Sequence, residues 1–233
     1  MTHTLTTPTD GSTGAAARTT RTGAALGLAS IVLTVAGLAL VAPAEAVLTR
    51  PAEDVVAFYS EGSPALTYAG GLLESVGLLL LLPFVVLLAG RLRGPGVPGE
   101  LLAPTAVVTG SAYVLLSLVP GQAAGAAALW LGHSGEAEPS ALLALNGLRV
   151  FSYFLALLCL AAFLVCIGAG GAATRRLPRW TAWSALVIGT ALAAGVAVAH
   201  TGLHDLVSLL AVAWIVATAI GLLRHPAPVD HDS

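Results

Sequence analysis

The sequence predicts an all-α integral membrane protein, a polytopic bundle of six transmembrane helices with both termini in the cytoplasm. Of the 233 residues, 57% are hydrophobic and only 9% are charged, whereas a soluble domain carries about 25% charged residues. The mean hydropathy is +0.89. Six apolar runs, each near the ~20 residues that a helix needs to cross a bilayer, follow one another along the chain and leave no room for a soluble catalytic domain.

The first span covers about residues 23–42, after a Thr-rich polar segment at 1–22 that we expect to be a disordered cytoplasmic tail. Small residues at 42, 44 and 46 also fit the cleavage site of a signal peptide. The apolar run of the first span is, however, longer than the 7 to 15 residues typical of a signal peptide. The length therefore favours an uncleaved helix.

A short helix is predicted directly after the first span. Pro51 stands where the first helical residue would lie, and the following segment AEDVVAFYSEG places Val55, Phe58 and Tyr59 on one side and two acidic residues on the other. This pattern predicts a helix lying on the outer surface of the membrane.

The remaining spans are predicted at about residues 68–89, 102–122, 150–169, 183–199 and 206–223, followed by a cytoplasmic tail at 224–233. Residues 142–148 extend the fourth span outward. The third apolar stretch runs on to Leu131, longer than a bilayer requires. Pro120 and Gln122 interrupt it, which predicts a kink or a break there. The last two spans are joined by only a few residues and should form an antiparallel hairpin.

The arginines indicate the orientation. Eight of the ten fall on one side of a six-span topology, and by the positive-inside rule this side is cytoplasmic: Arg18, Arg21, Arg91, Arg93, Arg175, Arg176, Arg179 and Arg224. The protein is therefore expected to be a multi-pass membrane protein with its arginine-rich side in the cytoplasm, and with the lipid bilayer as its partner. A net charge of −2 without a basic face argues against nucleic-acid binding.

Polar and charged groups are costly inside a membrane, so each one suggests a structural or functional role. Six such residues are expected in the outer third of the bilayer: Glu74, Asn146, Arg149, His200, His204 and Asp205. In a functional interpretation they form one site facing an outward vestibule, with Glu74 as a proton or cation acceptor. In a structural interpretation Glu74 and Arg149 form an ion pair that orders the helices. The nearby interface lowers the cost of burial, which favours the structural interpretation.

His200, His204 and Asp205 are of residue types that commonly bind metals, which makes them a candidate metal site. Gly202 is expected to turn the chain between the two histidines, so they would not share a helix face. Thr201 suits the N-cap of the last helix, and Asp205 in its first turn complements the helix dipole. We therefore expect neither a metal nor another cofactor.

Three segments carry a resemblance to a known group: RPAEDVVAFYSE after the first span, LNGLRVFSYFLALL at the start of the fourth, and LPRWTAWSALVIG at the turn into the fifth. With these segments the chain resembles small uncharacterised six-helix bacterial integral membrane proteins classified as a domain of unknown function. The resemblance implies six helices and no established activity, and it supplies no catalytic residue.

Three functions remain as hypotheses. The leading one is a non-enzymatic accessory or structural component of the inner membrane, because few polar groups are buried. The alternative is a small proton- or cation-coupled transporter or channel that uses Glu74 and a broken third helix near Gln122. An intramembrane enzyme would need a nucleophile with a base, and the nearest candidate pair, Ser75 and Glu74, is poorly placed because adjacent helical residues diverge by about 100°.

Overall fold

The computed structural model describes residues 10–41, 51–61, 63–93, 97–135, 137–199 and 202–226, and within these ranges it contains helices and no β-strand. Six of the described helical segments are long and apolar enough to cross a membrane: 14–41, 64–92, 99–134, 139–174, 179–197 and 203–224. The predicted all-α fold with six such helices is confirmed. The residues at 42–46 on which the signal-peptide alternative depends lie outside the described ranges.

The six spans close into a ring. In chain order the helices are α1 (Asp10–Val41), α2 (Ala52–Glu61), α3 (Pro64–Leu92), α4 (Val97–Leu116), α5 (Ala123–Ser134), α6 (Pro139–Thr174), α7 (Arg179–Ala197) and α8 (Leu203–Arg224). Contacts run from α1 to α3, then to α4, α6, α7 and α8, and α8 returns to α1. Large apolar side chains from all these helices except α2 and α5 fill the centre.

The first helix begins at Asp10, so residues 10–22 continue it instead of forming the expected disordered tail. Extending an existing helix avoids the unfavourable nucleation step, and a tertiary contact holds the added turns. Arg91 Nη2 donates one hydrogen bond to the hydroxyl group of buried Thr20 at 3.0 Å and a second one to the Pro226 carbonyl oxygen, also at 3.0 Å. The start of α1 and the ends of α3 and α8 therefore meet, at what we call the arginine end of the bundle.

Helix α3 is longer than the predicted span 68–89. Ser63 caps its start, with Oγ accepting from the Leu66 backbone N–H at 3.5 Å. It packs closely and antiparallel against α1 because small residues line the contact. A Cβ atom added at Gly37 would lie only 2.5 Å from the Gly70 carbonyl oxygen.

The third segment is not broken at Pro120. The chain forms a π-helical turn at Ser117–Gln122 and then continues as α5. The Ala123 N–H bonds to the Leu118 carbonyl, five residues back, a wider turn that accommodates the missing N–H of proline. The predicted irregularity is in the right place, but it is a π-helical turn within a continuous helical segment.

Helix α2 confirms the short helix predicted after the first span, but its surroundings differ from the expectation. Val55 and Tyr59 are buried, and they pack with Ala128 and Leu129 of α5 and Leu142 of α6 in a second apolar cluster. The apolar face of α2 therefore covers α5 and α6. We call α2, α5 and the first turns of α6 the cap, and the end of the bundle that carries it the cap end.

The hairpin of α7 and α8 is confirmed. Gly202, with φ at +71°, precedes α8 in the left-handed conformation, and the Trp214 indole N–H donates to the Thr181 carbonyl at 3.1 Å. The N-cap of α8 is Gly202 and not Thr201, which lies outside the described residues. Asp205 occupies the first turn of α8 as predicted.

Candidate functional site

A cavity of about 140 Å³ lies where the cap meets the bundle. Its wall is formed by α2, α3, the π-helical turn, α5 and α6, together with the last residue of α1. The volume equals that of four or five water molecules at about 30 Å³ each. Part of the wall is apolar, from Val41, Phe58, Leu72 and Leu129.

Two opposite charges line this cavity. Glu74 of α3 and Arg149 of α6 are both half-buried, and both make contacts within the protein. Each is the tenth residue after the first residue of its helix, which places both about 15 Å along the helix axis at 1.5 Å per residue. The two residues at the centre of the sequence-predicted cluster thus come from different helices to one cavity.

Two glycines leave space for the long polar side chains of the wall. A Cβ atom at Gly71 would lie 3.3 Å from Gln122 Oε1, and one at Gly125 would lie 3.2 Å from Arg149 Cδ. Gln122 is the last residue of the π-helical turn. The turn and the glycines together bring an amide and a guanidinium to the same cavity as the Glu74 carboxyl group.

Asn146 belongs to the same region, through the cap. The Tyr59 hydroxyl group donates to Asn146 Oδ1 at 3.1 Å, and both residues are buried, with 1% and 6% of their surface exposed. Tyr59 also lines the cavity. Asn146 therefore fixes one wall residue of the cavity and joins α2 to α6.

The hydroxyl groups of α3 are held by backbone carbonyls. Ser75 Oγ donates to the Gly71 carbonyl at 2.7 Å, and the Tyr68 hydroxyl group donates to the Ala126 carbonyl at 3.3 Å. The Ser75 proton is thus directed along its own helix, and in this arrangement Glu74 does not activate Ser75 as a nucleophile.

His204 and Asp205 lie at a different place. His204 Nε2 is 3.2 Å from Asp205 Oδ1, and the imidazole packs against the rings of Tyr153 and Phe154 on α6. Its Nδ1 atom is buried and has no hydrogen-bond partner among the described residues. Neither residue lines the cavity, so the predicted cluster divides into two parts, and His200 lies outside the described ranges.

Three tyrosines near the charges were not predicted as members of the site. Tyr59 and Tyr68 line the cavity, and Tyr113 of α4 lies close enough to Glu74 and Tyr153 for electrostatic interaction. The pattern of α2 predicts that Tyr59 lies on its apolar side, and a phenol that is buried there needs a polar partner. No comparable signal in the sequence marks Tyr68 or Tyr113.

Within the described ranges, no group of three or more His, Cys, Asp or Glu side chains is placed to hold a metal ion. Comparison of the chain with protein-family models, with curated protein sequences and with solved structures finds no match. The function is therefore inferred from the geometry of the cavity and the distribution of charge.

Proposed function

We propose that the chain is a non-enzymatic protein of a bacterial plasma membrane, of the six-helix kind that it resembles, and that its cavity binds a small polar solute from outside the cell. The observation that carries this proposal is that Glu74 and Arg149, from two different spans, line one cavity at the cap end. In this proposal the protein has the accessory role expected from the sequence, and it performs this role by binding the solute.

The proposed orientation places the arginine end in the cytoplasm and the cap outside. Arg91 and Arg93 end α3, and Arg175, Arg176 and Arg179 lie between α6 and α7. The short cap helix carries acidic residues and no basic ones. This asymmetry is the one that the positive-inside rule describes. Apolar side chains facing outward from the spans, such as Val32, Val86 and Val187, suit contact with lipid.

Cysteine labelling tests the orientation. With Cys159 and Cys166 replaced by serine, Ser60→Cys on exposed α2 should react with a membrane-impermeant maleimide in intact cells. Arg224→Cys should react only after the membrane is permeabilised. The reverse pattern would refute the orientation and, with it, an outside-facing cavity.

Solute binding is favoured over a purely structural ion pair because a pair needs no space. The cavity of about 140 Å³ beside the two charges is partly open to the surface, since Leu72 of its wall is largely exposed, and a small solute can therefore enter it. π-Helical turns are also frequent at functional sites, and here the turn delivers Gln122 to the wall. A packed ion pair would instead be surrounded by side chains that fill the gap.

A solute screen with matched variants tests binding. The purified protein is heated in detergent with small cations, anions, neutral amides and zwitterions, and a solute that binds the native state raises the unfolding temperature. Glu74→Gln and Arg149→Gln should abolish the increase. Glu100→Gln on α4 and Arg224→Gln on α8, both exposed, serve as charge-matched controls and should retain it.

The structural alternative predicts a different result for the same proteins. In that case no solute stabilises the wild type, whereas Glu74→Leu and Arg149→Leu each destabilise it by leaving a charge without its counter-charge. The double variant would then recover most of the loss, as apolar replacements of buried pairs often do. A result of this kind would refute solute binding.

A further inference from the structure

We propose that the solute bound by the cavity is a small zwitterion, with an ammonium group and a carboxylate group on a body of a few carbon atoms. This inference rests on the proposed function and names its ligand class. It follows from the charge balance of the wall, from the origin of the two charges on different helices, and from the volume of the cavity.

Charge balance is the first step. Among the described residues that line the cavity, Glu74 is the only acid and Arg149 the only base. Arginine stays protonated in proteins, so the wall carries one permanent cation beside one acidic side chain. The occupied cavity remains neutral only if the ligand has no net charge. A lone cation or anion would leave one uncompensated charge in a region of low dielectric constant, which is strongly unfavourable.

Position is the second step. Glu74 comes from α3 and Arg149 from α6, so the two charges enter the cavity from separate helices. A dipolar ligand can place its ammonium group at Glu74 and its carboxylate at Arg149. Both side chains already make contacts in the protein, and a zwitterion can offer each of them a charge-assisted hydrogen bond in exchange. A neutral amide cannot.

Volume is the third step. The cavity holds about 140 Å³, well below the ~300 Å³ at which sites for drug-sized ligands begin. It therefore fits a molecule of a few non-hydrogen atoms. The apolar wall formed by Val41, Phe58, Leu72 and Leu129 suits a short aliphatic body between the two charged groups.

The test measures affinities by calorimetry for the full chain in lipid nanodiscs. The zwitterions are L-alanine, β-alanine and γ-aminobutyrate, which differ in the distance between their charges. Ethylammonium, propionate and propionamide represent the separate parts. We expect at least one zwitterion to bind tenfold or more tightly than each of these three probes.

Removal of either charge should weaken zwitterion binding and strengthen the binding of one singly charged probe, and this probe differs between the two variants. Glu74→Gln makes the wall cationic, so zwitterion affinity should fall at least tenfold and propionate should bind more tightly than it does to the wild type. Arg149→Gln makes the wall anionic, so zwitterion affinity should again fall at least tenfold and ethylammonium should bind more tightly than it does to the wild type. The controls Glu100→Gln and Arg224→Gln should leave the affinities for the zwitterions and for the singly charged probes unchanged. If Glu74 and Arg149 had only a structural role, their replacement would not make propionate or ethylammonium bind more tightly.

If either variant fails to fold, Glu74→Asp provides the decisive comparison. It keeps the charge and withdraws the carboxyl group by one methylene, so the preference should move toward a zwitterion with a longer separation of charges. Wild-type binding of ethylammonium or propionate as tight as that of any zwitterion would overturn the ligand class and leave the proposed function standing. Binding of none of the six probes, together with no stabilising solute in the wider screen, would overturn both.

Discussion

Tyr59→Phe isolates the bond that holds the cap on the bundle. The substitution keeps the ring in the apolar cluster of α2, α5 and α6 and removes only the hydroxyl group that donates to Asn146 Oδ1 at 3.1 Å. Because Asn146 is 6% exposed, water cannot readily replace the lost donor. A buried acceptor without its partner costs about 1–3 kcal/mol, and we expect the free energy of unfolding to fall by this amount.

Tyr68→Phe is the matched control. Its hydroxyl group donates to the Ala126 carbonyl at 3.3 Å, but Tyr68 is 38% exposed, so solvent can take over and the loss should stay below about 1 kcal/mol. Adding Asn146→Leu to Tyr59→Phe replaces both partners with apolar groups and should recover much of the loss. Equilibrium unfolding in mixed micelles measures each difference. Hydrogen exchange should become faster in residues 52–61 of Tyr59→Phe, while α7 and α8 remain unchanged. Equal losses in the two Tyr→Phe variants would refute the reasoning.

Three further substitutions test the packing of the spans, each by the same unfolding assay. A Cβ atom at Gly37 would approach the α3 backbone to 2.5 Å, so Gly37→Val forces α1 away from α3 and should lower the free energy of unfolding by about 1–3 kcal/mol or more. Gly90→Ala is the control: a Cβ atom there has nothing within 4 Å, and stability should not fall. Gly125→Ala should cost below about 1 kcal/mol, because the Arg149 side chain can shift by a few tenths of an ångström, yet it should weaken solute binding. Thr218→Val removes a buried Oγ1 that has no partner among the described atoms and should leave stability unchanged or raise it by up to about 1 kcal/mol; a clear loss would show that the hydroxyl group has a partner.

The spans could be predicted because transfer of apolar residues into lipid depends on composition alone. Their ends could not, since a hydropathy pattern responds only to the membrane-length apolar part of a helix. Helix α1 extends to Asp10 because Thr20 binds Arg91, a residue far away in the sequence. Helix α6 was predicted to extend outward through residues 142–148, and it begins still earlier, at Pro139, because its first turns pack beneath α2. Both extensions depend on tertiary contacts.

Half of the polar cluster could be predicted for a similar reason. Ionisable residues are rare in spans, and depth along a helix can be counted, so the sequence predicts both Glu74 and Arg149 in the outer third of the bilayer. Which helices are neighbours cannot be counted. In the ring, α8 lies between α7 and α1, and it therefore carries His204 to the rings of Tyr153 and Phe154 and not to the cavity.

The cavity itself depends on a feature that no pattern in the sequence specifies, the response of the third segment to Pro120. A straight α-helix through this residue would lose a hydrogen bond and bring the proline ring against the carbonyl of residue 116. The π-helical turn relieves this conflict without ending the helix, so the same segment can cross the membrane, deliver Gln122 to the cavity and continue into the cap. The cap in turn forms part of the wall around Glu74 and Arg149. The two charges and the cap are therefore mutually dependent, and a substitution that loosens α2, such as Tyr59→Phe, should weaken solute binding even though it leaves both charges in place.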